Sequence, residues 1–600
     1  MKDFKDNTRE RTDGEVLKRL LRYMKPYEKQ FIFIVCLMLI AILIQLLPPL
    51  MIGFILDAVT SETLTRAEMI NSVFLVSGVF VVVLIVANII GYYQELLLQK
   101  VGQQTVMELR NDVFNHIEHL AIEQINQVPV GKLVTRVSND TNAISDMYTN
   151  VGVNLVRNLI YLLGIIFIIF FLNWKITLYI LMTIPIVLIA SMLFRKFSRS
   201  SYRLVRKNVS EVNAFLSENL SGMKITQIFN QEDKKRREFK ERSGDLKRSY
   251  LREILVFGIY RPTIYLISMA GSVLALYIGY QQVMIGALTA GLLYSFYQYV
   301  GNFFEPIQQI AEQFNSLQNA FASAEKVFDV LDTEPAIIDA EDAIELTEFT
   351  GSIEFRDVWF QYIPDEWVLK GVSFKVNPGE TVAFVGATGS GKTTILSLIV
   401  RNYEIQKGQI LIDGIDIRNI KRSSLRDKIG QMLQDVFLFS GTIKDNITLS
   451  DDNISMDEVK AASEYVGANT FIDALPDSYD HVVRERGNNF SSGQRQLISF
   501  ARALVYKPSL MILDEATANI DSETEELIQE SLEKMMNIST MLIVAHRLST
   551  IQHADRIIVM QKGEIKESGN HQELLRQEGI YRSLYELQYD DKARKDEHHD

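Results

Sequence analysis

One stretch near the start of the chain limits the fold more than any other, because residues 30–56 contain no charged side chain. About 27 helical residues at roughly 1.5 Å each exceed the roughly 30 Å hydrocarbon core of a bilayer. Residues 1–29 are polar and basic and lack the short apolar stretch and cleavage site of a signal peptide. The sequence therefore predicts a retained cytosolic N-terminal segment followed by a membrane-spanning helix.

Further apolar runs predict a membrane domain of six helices. They lie at about residues 71–93, 153–172, 176–194, 254–280 and 283–304. The connections after the first, third and fifth helices are short, whereas the other two are long, charged and helical in their apolar spacing. Because basic residues concentrate in the long connections, we expect the N-terminus and these helical stalks to be cytosolic.

Overall composition excludes several classes of protein. The chain has 62 Lys and Arg against 74 Asp and Glu, a formal net charge of −12 and a pI near 5.4, so a nucleic-acid partner is not expected. Its single cysteine, Cys36, excludes an intrachain disulfide and a cysteine-rich metal site.

Two charged residues fall within the predicted membrane helices. Arg261 and Glu305 each precede a proline and lie at similar depth on antiparallel neighbours. Because a charge there is costly unless it is paired or faces water, we predict that the two pair or line an inward-opening cavity with Tyr294, Tyr297 and Phe303. The alternative is that both sit at the inner interface and reach solvent.

The second half of the chain predicts a separate α/β domain that binds nucleotide. A strand-like run at residues 381–385 precedes a P-loop, and a helical pattern follows it. Such a loop wraps phosphates with backbone N–H groups, its lysine reaches the β/γ-phosphates, and its hydroxyl ligates Mg²⁺. The predicted ATP and Mg²⁺ site comprises Gly386, Ala387, Thr388, Gly389, Ser390, Gly391, Lys392, Thr393 and Thr394.

A second strand-like run, at residues 510–513, delivers two carboxylates, Asp514 and Glu515. Beside a P-loop, the first carboxylate supports the metal and the second can deprotonate the attacking water. We therefore predict Asp514 as an Mg²⁺ ligand and Glu515 as the catalytic base.

Between these motifs lies a segment, residues 489–496, that runs into a helical pattern. With it, the second half resembles the nucleotide-binding domain of an ATP-binding cassette transporter, and the whole chain resembles an exporter half-transporter of that family. The resemblance implies an all-α six-helix transmembrane domain followed by an α/β P-loop NTPase domain. The domains expected are a cytosolic segment at 1–29, the transmembrane domain at 30–325, a linker at 326–350, the cassette at 351–588 and a polar tail at 589–600.

The family pattern also implies individual roles. Tyr362 would stack on adenine, Gln434 would help to coordinate Mg²⁺, Asp521 would end the segment after the acidic pair, and His546 would contact the γ-phosphate. The signature segment would bind ATP held by the opposite subunit. Its members are Phe490, Ser491, Ser492, Gly493 and Gln494. Coupling helices are expected near residues 128–137 and 209–224.

Departures from the family pattern bear on the assembly. Phe490 stands where the signature usually has Leu, and Ser492 stands where its first Gly lies. The chain's own P-loop, acidic pair and histidine are intact, so the resemblance favours a heterodimer with one competent and one degenerate ATP site. A homodimer that tolerates Ser492 is the alternative.

The function expected from this pattern is ATP-driven export of amphiphilic molecules, drugs or lipids, across the plasma membrane, with the cassette in the cytosol. An importer, a peptide exporter and an ATP-gated channel or regulator are the alternatives. The partners expected are a second half-transporter and the lipid bilayer.

Overall fold

The computed structural model describes residues 11–61, 65–514, 522–536, 538–544 and 551–587. The chain divides into two compact units. The first comprises residues 1–118 and 128–333, and the second comprises residues 119–127 and 334–600. The short piece 119–127 thus belongs to the second unit although it interrupts the first in sequence.

The first unit is helical throughout its described residues, as the sequence predicts. Its helices are α1 (Asp13–Met24), α2 (Glu28–Gln45), α3 (Pro48–Thr60), α4 (Arg66–His119), α6 (Val130–Thr135), α7 (Thr141–Asp146), α8 (Gly152–Leu172), α9 (Trp174–Leu181), α10 (Thr183–Ser221), α11 (Met223–Ile228), α12 (Glu232–Met284) and α13 (Ala290–Leu331). In the sequence, helix α5 (Ile122–Asn126) comes between α4 and α6, and it belongs to the second unit.

Five helical stretches in the described chain are long and apolar enough to cross a membrane. They are Asp13–Thr60, Arg66–His119, Val130–Leu172, Trp174–Ser221 and Glu232–Met284. The sixth predicted span falls in α13, which is 42 residues long but is not among these five because polar residues such as Gln298, Asn302 and Glu305 interrupt its apolar run. The long connections are helical extensions of α4, α10 and α12, and their placement as cytosolic stalks stays a prediction.

Close packing joins α3 to α13 at two glycines. A Cβ on Gly53 would lie 2.6 Å from the carbonyl oxygen of Gly291 and would meet the Ser295 hydroxyl. The Ser295 hydroxyl donates to the carbonyl of Pro49 at 2.8 Å. Nearby, Asp57 accepts hydrogen bonds of 2.6 Å from both the Thr289 hydroxyl and the Gly291 N–H. Small residues therefore let these two backbones approach within hydrogen-bonding reach.

The second unit is built around two sheets. The antiparallel sheet has the order β2-β1-β4-β5, and the larger sheet has the order β12-β11-β3-β10-β9-β6, in which β11, β3, β10, β9 and β6 run parallel. The strands are β1 (Ile353–Gln361), β2 (Trp367–Val376), β3 (Thr381–Val385), β4 (Lys407–Ile412), β5 (Ile415–Asp416), β6 (Ile429–Met432), β7 (Gly441–Thr442), β8 (Val482–Val483), β9 (Leu510–Asp514), β10 (Thr540–Val544), β11 (Arg556–Gln561) and β12 (Glu564–Gly569).

Helices cover the larger sheet. They are α14 (Lys392–Ile399), α15 (Arg422–Arg426), α16 (Ile443–Thr448), α17 (Met456–Tyr465), α18 (Asn469–Ile472), α19 (Ser492–Val505), α20 (Ser522–Met535) and α21 (His571–Arg576). Every residue of β3, β9 and β10 is buried, which explains their continuous apolar sequences. The fold is therefore the predicted one, a helical transmembrane domain followed by an α/β P-loop domain.

Candidate functional site

The P-loop joins β3 to α14 in a conformation that needs glycine. Gly391, the N-cap of α14, has φ 104°, and a Cβ there would lie 2.6 Å from a methyl group of Leu369. A Cβ on Gly386 would run into the backbone carbonyl of Met560. The loop therefore fits tightly against its neighbours and ends at the N-terminus of a buried helix, where backbone N–H groups favour anions.

The lysine of the loop is buried and hydrogen-bonded to carbonyl groups of the same loop. Lys392 is 6% exposed, and its Nζ donates to the carbonyl oxygens of Gly386 and Ala387 at 2.8 and 3.1 Å. Burial lowers the pKa of Lys392, and the charge of Asp514 opposes that shift. Desolvation is therefore the larger of the two effects on this lysine, and the nearby carboxylate compensates part of it.

One buried hydroxyl of the loop fits a phosphate oxygen. Within the described residues, the Ser390 Oγ is buried and has no hydrogen-bond partner. Buried polar groups without partners are rare in native structures, and a group bound at the site is one explanation for such an atom. Together with the Lys392 ammonium and the loop's glycines, this hydroxyl makes a donor set that fits ATP.

Topology brings three motifs to one edge of the larger sheet. The P-loop follows β3, Asp514 ends β9, and Gln434 follows β6 by two residues. Since these strands run parallel, their carboxyl ends meet at the same edge. With β10 alone between β3 and β9, the P-loop strand and the Asp514 strand lie roughly 10 Å apart.

Some predicted site residues lie outside the described chain. These are Glu515, Asp521 and His546, so their roles stay predictions. Among possible Mg²⁺ ligands, Asp514 is 9% exposed at its strand end, and the Thr393 and Gln434 side chains are exposed at the same edge. Hydroxyl, amide and carboxylate oxygens are the ligands that Mg²⁺ takes, so this set fits the ion.

Tyr362 lies against the P-loop helix, and its predicted contact with adenine stays a prediction. Its hydroxyl shares a 3.1 Å hydrogen bond with the Thr394 hydroxyl, and its ring meets the Tyr403 ring edge-on at 5.0 Å. Tyr403 in turn accepts a 3.2 Å hydrogen bond from the Asn126 side chain of α5. Sequence reasoning missed Tyr403, which no motif marks.

Helix α5 is also joined to the linker. The Gln124 side chain accepts from the Ala336 N–H at 2.9 Å and donates to the Glu334 carbonyl at 2.9 Å. The segment that packs with the nucleotide unit is therefore 119–127, just before the predicted coupling position at 128–137. The second predicted coupling position, residues 209–224, falls mostly inside α10, which ends at Ser221. The short helix α11 begins at Met223.

The signature segment forms the start of α19. Ser491 caps this helix through a 3.2 Å bond from the Gln494 N–H, and Gln494 accepts from the Ser491 N–H at 3.0 Å. Ser492 is the first helical residue, so serine needs no left-handed backbone there. Phe490 is 6% exposed and packs edge-on against Phe471 and His481, so its larger side chain fills the domain core.

The predicted intramembrane cavity residues are only partly grouped. Among the described residues, no ion pair links Arg261 to Glu305, whose carboxylate instead accepts a 3.0 Å bond from the Gln309 side chain. Phe303 is fully buried in the packed core of the first unit, and the Tyr294 hydroxyl accepts from the Gln298 side chain at 2.7 Å. Tyr297 is half-buried. A cavity role for these five residues stays a prediction.

Family models match both units. The model described as the ABC transporter transmembrane region matches residues 31–307, and the one described as ABC transporter matches residues 369–518. The probable multidrug resistance ABC transporter ATP-binding/permease protein YheH of Bacillus subtilis is 39% identical over 88% of this chain and 80% of its own length. This chain belongs to the ABC transporter family.

Two further relatives extend the comparison of this ABC transporter. An ATP-dependent lipid A-core flippase of Syntrophus aciditrophicus is 33% identical over 96% of this chain and 95% of its own length. A bacterial Atm1-family ABC exporter with ATP bound superposes with a TM-score of 0.77 at 26% identity, over 94% of this chain and 98% of that one. This ABC transporter is thus a multi-pass membrane protein that binds ATP and couples its hydrolysis to transport.

Proposed function

We propose that this ABC transporter exports amphiphilic molecules, drugs or lipids, out of the cytosol across the plasma membrane. The observation that carries the proposal is the shared edge of the larger sheet, where the P-loop with Lys392, Asp514 and the loop of Gln434 lie at the carboxyl ends of the parallel strands β3, β9 and β6, in a chain whose helices are long and apolar enough to cross a membrane. The substrate class is supported by relatives named for multidrug resistance and for flipping of lipid A-core.

In the proposed reaction, Tyr362 stacks on adenine and the P-loop backbone holds the phosphates. Lys392 exchanges its two loop carbonyl partners for phosphate oxygens, and the Ser390 hydroxyl donates its hydrogen to another. Mg²⁺, when bound, would neutralise developing phosphate charge, and Thr393, Gln434 and Asp514 would hold it. Glu515 would accept the proton of the attacking water, and His546 would contact the γ-phosphate.

For the assembly, we propose a heterodimer with a second half-transporter. The signature segment acts on ATP held by the opposite subunit, and Phe490 and Ser492 depart from the usual signature. The partner's site would then be the weaker one.

A homodimer is the second candidate, and one observation favours it. Ser492 has an ordinary helical backbone and Phe490 is accommodated in the core, so neither departure strains the start of α19. Two copies of this chain would then form two equivalent sites.

A single preparation distinguishes the heterodimer from the homodimer. The full chain is purified alone in lipid nanodiscs, and its assembly mass and Mg-ATPase rate are measured with Glu515→Gln as the blank. Loss of a general base costs about 10²–10⁴ in rate, so the blank should be nearly inert while still binding ATP. Glu515-dependent turnover by a two-chain assembly would favour the homodimer, and an inert or monomeric chain rescued by a second cassette subunit would favour the heterodimer.

Export itself needs a second measurement. In proteoliposomes with the cassettes outside, ATP should drive a fluorescent amphiphile or lipid to the inner side, and the Glu515→Gln chain should not. Movement in the opposite direction, or passive equilibration only, would contradict the proposal.

A further inference from the structure

A buried side-chain amide closes the loop that follows Gln434. Asn446, on α16, is 1% exposed. Its Oδ1 accepts from the Phe439 N–H at 2.8 Å, and its Nδ2 donates to the carbonyls of Phe439 and Thr442 at 2.8 and 3.0 Å. A neutral side-chain amide offers two donors and two acceptor positions. Three of these four are therefore used within the loop itself.

The fourth position of this amide is filled from α19. Arg502 donates through Nη2 to the Asn446 Oδ1 at 3.1 Å and through Nε to the Asn446 carbonyl at 2.7 Å. Its Nη1 donates to the carbonyl of Phe437 at 3.0 Å. Fully satisfied buried polar networks rigidify the elements that they join.

The acceptors of Arg502 are neutral groups. Burial lowers the pKa of Arg502, so the guanidinium is desolvated. A planar guanidinium can supply three divergent donors at once, whereas an ammonium on a flexible stem cannot reproduce that fork. The arrangement therefore depends on arginine at this position and not on positive charge alone.

The hydrogen bonds of Arg502 and Asn446 join two elements for which different roles at the ATP site are proposed. Helix α19 begins with the signature segment, and the loop held by Arg502 begins three residues after Gln434. We infer that Arg502 and Asn446 are positioning residues that make the loop after Gln434 and the signature helix move as one body. The inference rests on the proposed roles of Gln434 and of the signature segment.

The chain offers a matched control in Arg426. This arginine is also desolvated, and it donates to the carbonyls of Val400 and Arg401 and to the Asn402 side chain at 3.1 to 3.3 Å. Its hydrogen bonds join α15 to the end of α14, and among the described residues none of them reaches α19. Replacing either arginine with lysine removes the same kind of fork.

The test compares Arg502→Lys and Arg426→Lys in the full chain in nanodiscs. Hydrogen exchange without ATP should show about fivefold faster exchange at residues 436–440 in Arg502→Lys alone, with α19 still protected, since about 1 kcal/mol for a network hydrogen bond corresponds to that factor. The kcat for ATP should fall about tenfold with the KM within about twofold, because the P-loop is untouched.

Equal effects of the two substitutions on exchange and kcat would overturn the inference and indicate a merely structural role. If Arg502→Lys does not fold, the unaltered chain still decides the matter. Its Phe439 amide should exchange as slowly as the interior of α19, and free exchange there would overturn the inference. Because exchange is measured without ATP, a failure of the proposed export function would appear separately, as an unaltered chain without ATP-driven transport.

Discussion

At the scale of single residues, we expect Ser390 to contribute to ATP binding and not to the stability of the fold. Its buried hydroxyl has no partner among the described residues, so Ser390→Ala should leave the free energy of unfolding unchanged or slightly raised. The affinity of the Ser390→Ala chain for ATP should fall about tenfold, because one hydrogen bond to a charged phosphate is lost. Thermal unfolding with and without ATP, together with an ATP titration, measures both quantities.

The matched control is Ser397→Ala in the same helix, which should leave ATP affinity unchanged because that position lies beyond the first turn of α14. A Ser390→Ala chain that binds ATP normally would show that the hydroxyl does not contact phosphate.

At the scale of elements, the α3–α13 contact predicts a sharp difference between glycines. Gly53→Ala should destabilise the first unit by about 1–3 kcal/mol, because its new methyl group meets the backbone of Gly291 and the Ser295 side chain. Gly78→Ala, in α4, has nothing within 4 Å and should be neutral or stabilising by up to about 1 kcal/mol. Thermal unfolding in nanodiscs compares the two, and equal stability would mean that α3 and α13 do not pack this closely.

At the scale of the whole molecule, residues 119–127 belong to the nucleotide unit although residues of the membrane unit flank them in the sequence. Gln124 is 9% exposed and binds both the linker and the start of α5, where its side chain accepts from the Ala121 N–H at 3.1 Å. Gln124→Ala should therefore keep basal ATPase within about twofold while reducing transport per ATP about tenfold, the effect of about 1.4 kcal/mol. Parallel ATPase and transport assays in proteoliposomes measure that ratio.

The matched control is Gln127→Ala. Its exposed side chain has no hydrogen bond to another described residue, so the ratio should not change. If both substitutions reduce the ratio equally, the Gln124 contacts do not carry the coupling.

Much of this protein could be predicted from local patterns. Membrane spans follow from uninterrupted apolar length, because a bilayer forces the backbone to satisfy its own hydrogen bonds. The P-loop and Asp514 follow from residue types at fixed spacing beside buried strands, because phosphate and metal chemistry need those groups. The predicted fold and family are confirmed, whereas polar residues interrupt the apolar run of the sixth span in α13, and no ion pair joins Arg261 to Glu305 among the described residues.

Other features depended on which distant residues meet. Tyr403 joins Tyr362 to α5, Arg502 joins α19 to the loop after Gln434, and the packing of Gly53 against Gly291 leaves no mark in either local sequence. Their partners are far away along the chain, and hydrogen bonds and close packing are decided by distance in space. The sequence by itself determined the fold class and the chemistry at the sheet edge, whereas only the tertiary structure decided which distant residues meet within each unit.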